Sequence, residues 1–259
     1  AMKCAWDVDD PQLTHDHLQQ GGIEMSAYGT RFLVNTGYSD GSGGTGITVQ
    51  NQDATLHSST MIVDRNDNGI FEVTADNHKI GAWNAQNAGP AERAMADQIG
   101  LAAARYDYWE DGFDFTRNLM LIGRSPGHAP YMISVDDIDR TTAPASRKYA
   151  ILWHSRGTLT FDAAHQSGEW SCINDMPGDD GQVLLNVKIA KPEGLTISQA
   201  TRPYYPFFSS EGTPYEDSVP YIIAESTAAS SRYISVLYPR KVGQSLPAIA
   251  SVSGQNAAT

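Results

Sequence analysis

The chain has 259 residues, 41% of them hydrophobic and 19% charged, which is the balance of a globular protein with a substantial core and not of a disordered chain. Against 18 basic residues stand 30 acidic ones, for a formal charge of −12 without any run of Lys and Arg; this excludes a nucleic-acid or polyanion receptor working through its own basic patch. No apolar run approaches the ~20 residues of a membrane span, and AMKCAWDVDDPQL (1–13) lacks the basic-then-apolar order of a secretion signal. Ala1 before Met2 has the look of a cloning remnant, so the natural start and the compartment are not read from this sequence.

In chain order, the first chemically dense stretch is THDHLQQGG (14–22), with His15, Asp16 and His17 in one short run. It leads into GIEMSAYGTRFLVNTGY (22–38), which places Ile23, Met25 and Ala27 on one face, turns near Gly29 and returns through Phe32 and Val34. DGSGGTG (40–46) is a flexible loop and not a phosphate cradle, since no lysine follows it and no helical pattern starts there. TLHSSTMIVDRNDNGIFEVTAD (55–76) reads as a second hairpin turning at Asn68-Gly69. Its DRNDNG begins like a calcium loop, but Ala75 stands near where the closing acid belongs, and a hairpin turn is the better reading.

AERAMADQIGLAAARYDYW (91–109) has a helix-forming composition, with a short helix expected at 91–97; its middle is equally compatible with a buried strand of small residues. Strands are expected in TRNLMLIGR (116–124), PYMISVDDID (130–139), RKYAILWHS (147–155), GEWSCIN (168–174), GQVLLNVKIA (181–190), PYIIAES (220–226) and RYISVLYP (232–239). Between the last four, TRPYYPFFSSEGTPYEDSVP (201–220) reads as an ordered Pro- and aromatic-rich loop. Short strands at regular spacing predict an all-β protein, one large antiparallel β-sandwich over 1–259 with at most one or two short helices.

Cys4 and Cys172 have no near partner, so they form neither a disulfide scaffold nor a zinc ribbon; two thiols are expected, with one long-range bridge as the alternative. His154 reads as a core or rim histidine; His78, His128 and His165 read as solvated. Asp136, Asp137 and Asp139 resemble paired catalytic carboxylates, yet DDIDR at a strand end reads more simply as a solvated turn. Trp153 and Trp170 are assigned to the core, and Tyr204, Tyr205, Phe207 and Phe208 offer either a sugar-stacking platform or the core of a folded-over loop.

The stretch HDHLQQGGIEMSAYGTRFLVNTGY (15–38) resembles the start of the β-sandwich of heparinase II/III-like polysaccharide lyases, which tend to read HxHxDxxSFxLYAxGxxLxxDPGxxxY and then a His-Asn-Thr segment ahead of a strand. VNTGY stands where VDPGY would be and LHSSTMIVD stands for the His-Asn-Thr strand. TRNLMLIGRSPGHAPYMISVDDID and RYISVLYPRK are similar to later strands of the family. The resemblance implies a divalent ion, typically zinc, held by His17, Asn35 and His57, with His15 beside the substrate as a catalytic group. It further implies β-elimination on an acidic polysaccharide of heparin, heparan or alginate type, in a cleft completed by an α/α-toroid domain or a partner chain, and a bacterial, periplasmic or secreted setting.

The departures are specific. Asn35 replaces a carboxylate, Gln19 the acid of HxHxD, and Ser58-Ser59 the Asn-Thr pair. An amide is a weaker zinc ligand than a carboxylate and leaves the ion's charge less compensated. Nothing ahead of residue 15 has the length of a toroid, so the chain by itself is expected to be inactive. The alternative reading is a non-catalytic carbohydrate-binding or structural domain, with Tyr204, Tyr205 and Phe207 as the sugar contact.

Overall fold

The computed structural model describes residues 2–4, 22–34, 59–63, 85–96, 99–108, 113–124, 129–140, 147–173, 181–192, 195–204, 217–228 and 230–249. Its strands, in chain order, are β1 (Met2–Cys4), β2 (Ile23–Ala27), β3 (Thr30–Leu33), β4 (Met61–Val63), β5 (Ala85–Ala96), β6 (Ile99–Tyr108), β7 (Phe113–Ile122) and β8 (Tyr131–Arg140). They continue as β9 (Arg147–His154), β10 (Thr158–Asp162), β11 (Ser167–Ile173), β12 (Gln182–Lys191), β13 (Thr196–Tyr204), β14 (Asp217–Ala228) and β15 (Ser231–Lys241). No helix occurs among the described residues.

Three antiparallel sheets result. The largest has the order β10-β11-β12-β15-β8-β7-β6-β5, a second β13-β14-β9-β4, and a third β1-β2-β3. Period-two alternation explains the large sheet: along β7, Phe115, Arg117 and Leu119 are buried while Asp114, Thr116 and Asn118 are not, so one face points at the other sheet. β9 differs, because both its faces are covered. Tyr149, Ile151 and Trp153 pack into the main core with Trp170, Leu185, Tyr233 and Leu237, while Ala150 and Leu152 join Ile62 and Tyr221 on the opposite face. That double burial is why YAILWH reads as a continuous apolar run.

The sheets approach closely at Gly168, where an added Cβ would lie 2.6 Å from Ile222 Cδ1, and Trp170 Nε1 donates across the gap to the Pro220 carbonyl at 3.1 Å. The β2–β3 hairpin turns through Tyr28 (φ 52°) and Gly29 (φ 82°), the pair of positive angles a two-residue hairpin turn requires.

Two expectations are corrected. Where a helix was expected over 91–97, residues 85–96 are strand β5, and IGLAAA opens β6, which is hydrogen-bonded on both sides by β5 and β7. The loop expected over 201–220 is narrower, since β13 runs on to Tyr204 and β14 begins at Asp217.

Candidate functional site

Three chain segments meet at the C-terminal end of β9. The end of β3 lies against it through the Leu33–Ser155 bridge and the Arg156 N–H to Phe32 carbonyl bond of 3.2 Å. The segment that leads into β4 lies beside the same end: the Leu152 N–H donates to the Thr60 carbonyl at 2.8 Å and the His154 N–H to Ser59 Oγ at 2.9 Å. The opposite edge of β9 is taken by β14, with Tyr221 facing His154. β2 joins through its hairpin partner. Met25 faces Leu33, the last residue of β3, so the antiparallel register puts Met25 at the level where β3 ends.

Beneath this junction lies a buried polar cluster. Arg117 and Asp136 face each other across β7 and β8, both fully buried. Nε donates to Oδ1 at 2.5 Å and Nη2 to Oδ2 at 3.1 Å. Nη1 reaches across to the other sheet and donates to the Ser59 carbonyl at 2.7 Å. Ser134 Oγ donates to Asp136 Oδ2 at 3.1 Å, and the guanidinium carbon sits 5.1 Å from the Trp153 ring centroid and 5.6 Å from that of Phe115. Trp153 Nε1 is turned to Ser235 Oγ at 3.2 Å. Such an arrangement holds backbone in place; a pair with no exposed surface does not touch a polymer.

His154 is buried, as expected, and its ring stacks on Tyr221 with centroids 4.3 Å apart. His165 is exposed and bonds Asp162 through Nδ1 at 2.7 Å; this hydrogen bond holds the Asp162 carboxyl below its usual value. Asp139 is exposed, whereas Asp137 pairs with Arg232, a hydrogen bond that raises the guanidinium's affinity for its proton. The solvated-turn reading of DDIDR is therefore corrected: these are the last five residues of strand β8, paired with β7, and alternation turns Asp136 inward between Ser134 and Ile138. Cys172 Sγ remains a thiol and donates to the Arg156 carbonyl at 2.8 Å.

His15, His17, Asn35, His57, Tyr205 and Phe207 lie outside the described residues, as do His78, His128, Phe208 and DRNDNG, and of Tyr204 only the backbone is described. Among the described residues, no group of three or more His, Cys, Asp or Glu converges to hold a metal, and no helix is long and apolar enough to cross a membrane. A groove of about 270 Å³ between the hairpin and the large sheet is lined by Met25, Ala27, Tyr28, Leu121, Met132 and Pro239; burial raises the Tyr28 pKa. Among the described residues its wall is mainly apolar, and the Arg124 charge acts on Tyr28 in opposition to burial. Sequence reasoning missed Arg117 and named Ser59 only as a departure from the Asn-Thr pair. The signal was available for Arg117, since a charge at the inward position between Phe115 and Leu119 breaks the strand's own alternation.

A family model described as Heparinase II/III-like, C-terminal, matches residues 1–202. Among solved structures, the heparan sulfate lyase HepC from Pedobacter heparinus matches with a TM-score of 0.67 at 14% identity, covering 90% of this chain and 32% of that one. A mutant of that enzyme gives 0.69 at 15%, covering 93% and 33%. The Heparinase III-BT4657 gene product gives 0.65 at 13%, covering 88% and 31%. No curated protein matches the sequence. The chain spans about a third of the length of each of these structures, and at such identities the likeness is one of fold.

Proposed function

The chain belongs to the heparinase II/III-like family, as its C-terminal domain, and from that premise we propose that it is the β-sandwich part of a lyase acting by β-elimination on an acidic, uronate-containing polysaccharide. The observation that carries this reading is the fold shared with two heparin- and heparan-degrading proteins over about nine-tenths of the chain.

Elimination needs the uronate carboxylate neutralised, its neighbouring C–H proton removed and the leaving oxygen protonated, by groups each within hydrogen-bond reach. His15 is the group this chain offers, as a proton carrier at the cleft. A net charge of −12 gives no positive wall for a polyanion, so the cleft is composite, and the remainder comes from a helical toroid domain or partner chain. Tyr204, Tyr205 and Phe207 supply faces on which sugar rings stack.

His17, Asn35 and His57 would hold a divalent ion. Two imidazoles and an amide oxygen are donors that zinc accepts, and because all three are neutral the affinity is modest. Bound there, the ion supplies a fixed positive charge that ties the hairpins together. Sequence distance supports part of the grouping: position 35 follows Val34 and position 57 is two residues ahead of Ser59, and Leu33 and Ser59 both meet the end of β9.

Unsaturated uronate, followed by ultraviolet absorbance on heparin, heparan sulfate and alginate, tests the assignment. The chain alone, without a positive wall of its own, is expected to give little product. Fused to a toroid domain from the family it is expected to turn over, and to stop with His15→Ala. Brisk turnover by the isolated chain would contradict the composite cleft, and no product from the fusion on any of the three would contradict the substrate class.

A further inference from the structure

The turn of the β2–β3 hairpin stands beside an open apolar groove. Among the described residues its wall is Met25, Ala27 and Tyr28 from the hairpin, Leu121 at the end of β7, Met132 from β8 and Pro239 from β15. Its volume of about 270 Å³ is many times the ~30 Å³ share of a water molecule, which is room for a large side chain. Leu121 keeps 38% of its surface exposed, although it lies on the face of β7 that carries the buried Arg117 and Leu119. Tyr28 holds φ 52°, a costly backbone for a bulky residue, and is half-buried. An apolar wall left partly wet beside a strained aromatic has the character of a contact surface.

The path of the chain says what arrives there. β1 runs antiparallel to β2, with Cys4 facing Ile23 and Met2 facing Met25. Traced back from Met2, that register leads along Ser26, Ala27 and Tyr28, all three of which line the groove. The match is to a C-terminal domain, and the chain spans about a third of the lyase structures that share its fold. A companion domain placed ahead of a C-terminal one is joined through β1, and so comes in at this corner. Interfaces between domains are held by a few large apolar or aromatic anchors seated in pockets, and the groove has the size and lining for one.

We propose that this groove is the docking socket for the toroid domain that precedes the sandwich, and that it takes one large aliphatic or aromatic side chain from that domain between Tyr28 and Leu121. The inference rests on the reading of the chain as the sandwich part of a composite lyase.

Hydroxyl-radical footprinting of the chain, and of its fusion to a toroid domain from the family, reads these side chains directly. Tyr28 and Leu121 are expected to be labelled in the chain alone and to lose that labelling in the fusion. Leu101 and Met120 are the controls. Both are exposed, and they pair with each other next to the Gly100–Leu121 pair, which puts them on the opposite face of the same strands; their labelling is expected to persist. Leu121→Asp sets a charge in the groove and is expected to restore labelling of Tyr28 in the fusion, with the thermal midpoint of the isolated chain close to that of the parent. If that variant loses its cooperative transition, Tyr28→Gly, which suits the positive φ, is judged by the return of labelling at Leu121. Equal labelling of Tyr28 and Leu121 in chain and fusion, loss confined to Leu101 and Met120, or full protection in the folded variants would each overturn the proposal. Protection of the chain alone by heparin, heparan sulfate or alginate, with none from the fused domain, would give the groove to sugar and overturn it as well. A fusion that yields no product yet protects Tyr28 and Leu121 would remove the lyase reading and leave the docking socket standing.

Discussion

The hydroxyl of Ser59 takes the place of a backbone partner for His154, 95 residues away: the His154 N–H donates to Oγ at 2.9 Å, and Oγ lies 3.4 Å from the His154 carbonyl. A side chain thus continues the ladder between β4 and β9 past the point where backbone pairing ends. Ser59→Ala would leave a buried N–H without its acceptor, at a cost of about 1–3 kcal/mol. Urea denaturation checks this, with Ser59→Thr expected to recover part of the loss by restoring the hydroxyl.

Arg117 and Asp136 make a sharper energetic test. Arg117→Met removes one half of a fully buried pair and is expected to destabilise by about 3–5 kcal/mol, because the carboxylate is left unpaired. Adding Asp136→Leu should recover most of that. A double-mutant cycle in urea measures the coupling, and two additive losses would mean that the partners act independently.

Glycine at 168 and at 157 is required for different reasons. At Gly168 a methyl would meet the ends of two flexible side chains, Ile222 Cδ1 at 2.6 Å and Leu159 Cδ1 at 2.9 Å; Gly168→Ala is expected to cost about 1–3 kcal/mol as the sheets adjust. At Gly157 the backbone has φ +94° and a Cβ would strike the Ser171 carbonyl, which cannot rotate away. Gly157→Ala should therefore be the more damaging of the two, as compared by thermal midpoint.

Stability should fall in alkali through Tyr233. Burial pushes its pKa well above the ordinary phenol value, against the opposing pull of its hydrogen bond with Ser226. From about pH 10 upward the unfolded chain loses this proton while the folded chain keeps it, so fewer protons are bound in the unfolded state and the unfolding free energy drops as pH rises toward the raised value. Tyr233→Phe forfeits the bonds to Ser226 and the Tyr149 carbonyl and starts less stable at neutral pH. Above pH 10 its stability should decline less steeply than that of the parent, as urea titrations across that range would show.

The hairpin at 23–33 was legible because burial alternates along most of it, at Ile23 and Met25 on β2 and at Thr30 and Phe32 on β3, before Leu33 is buried as well. The strands β5 and β6 were not. Ala-rich AERAMADQIGLAAA favours a helix locally, and long-range pairing of β6 with β5 and β7 overrides that preference. β13 was obscured by its polar TISQATRPY, a strand whose one sheet partner among the described residues is β14. The resemblance pointed to residues 15, 17, 35 and 57, which lie outside the described residues, whereas the buried contact between Ser59 and Arg117 was hidden. Ser59 and Arg117 are 58 positions apart, and only folding brings a carbonyl of one sheet within reach of a guanidinium of the other.

Calorimetric titration of zinc into the chain, its His57→Ala variant and its Asn35→Asp variant bears most directly on the ion site. The account predicts one modest-affinity site per chain, abolished by His57→Ala and tightened by the carboxylate of Asn35→Asp. Binding that persists unchanged without His57, or no binding even with Asp at position 35, would contradict it.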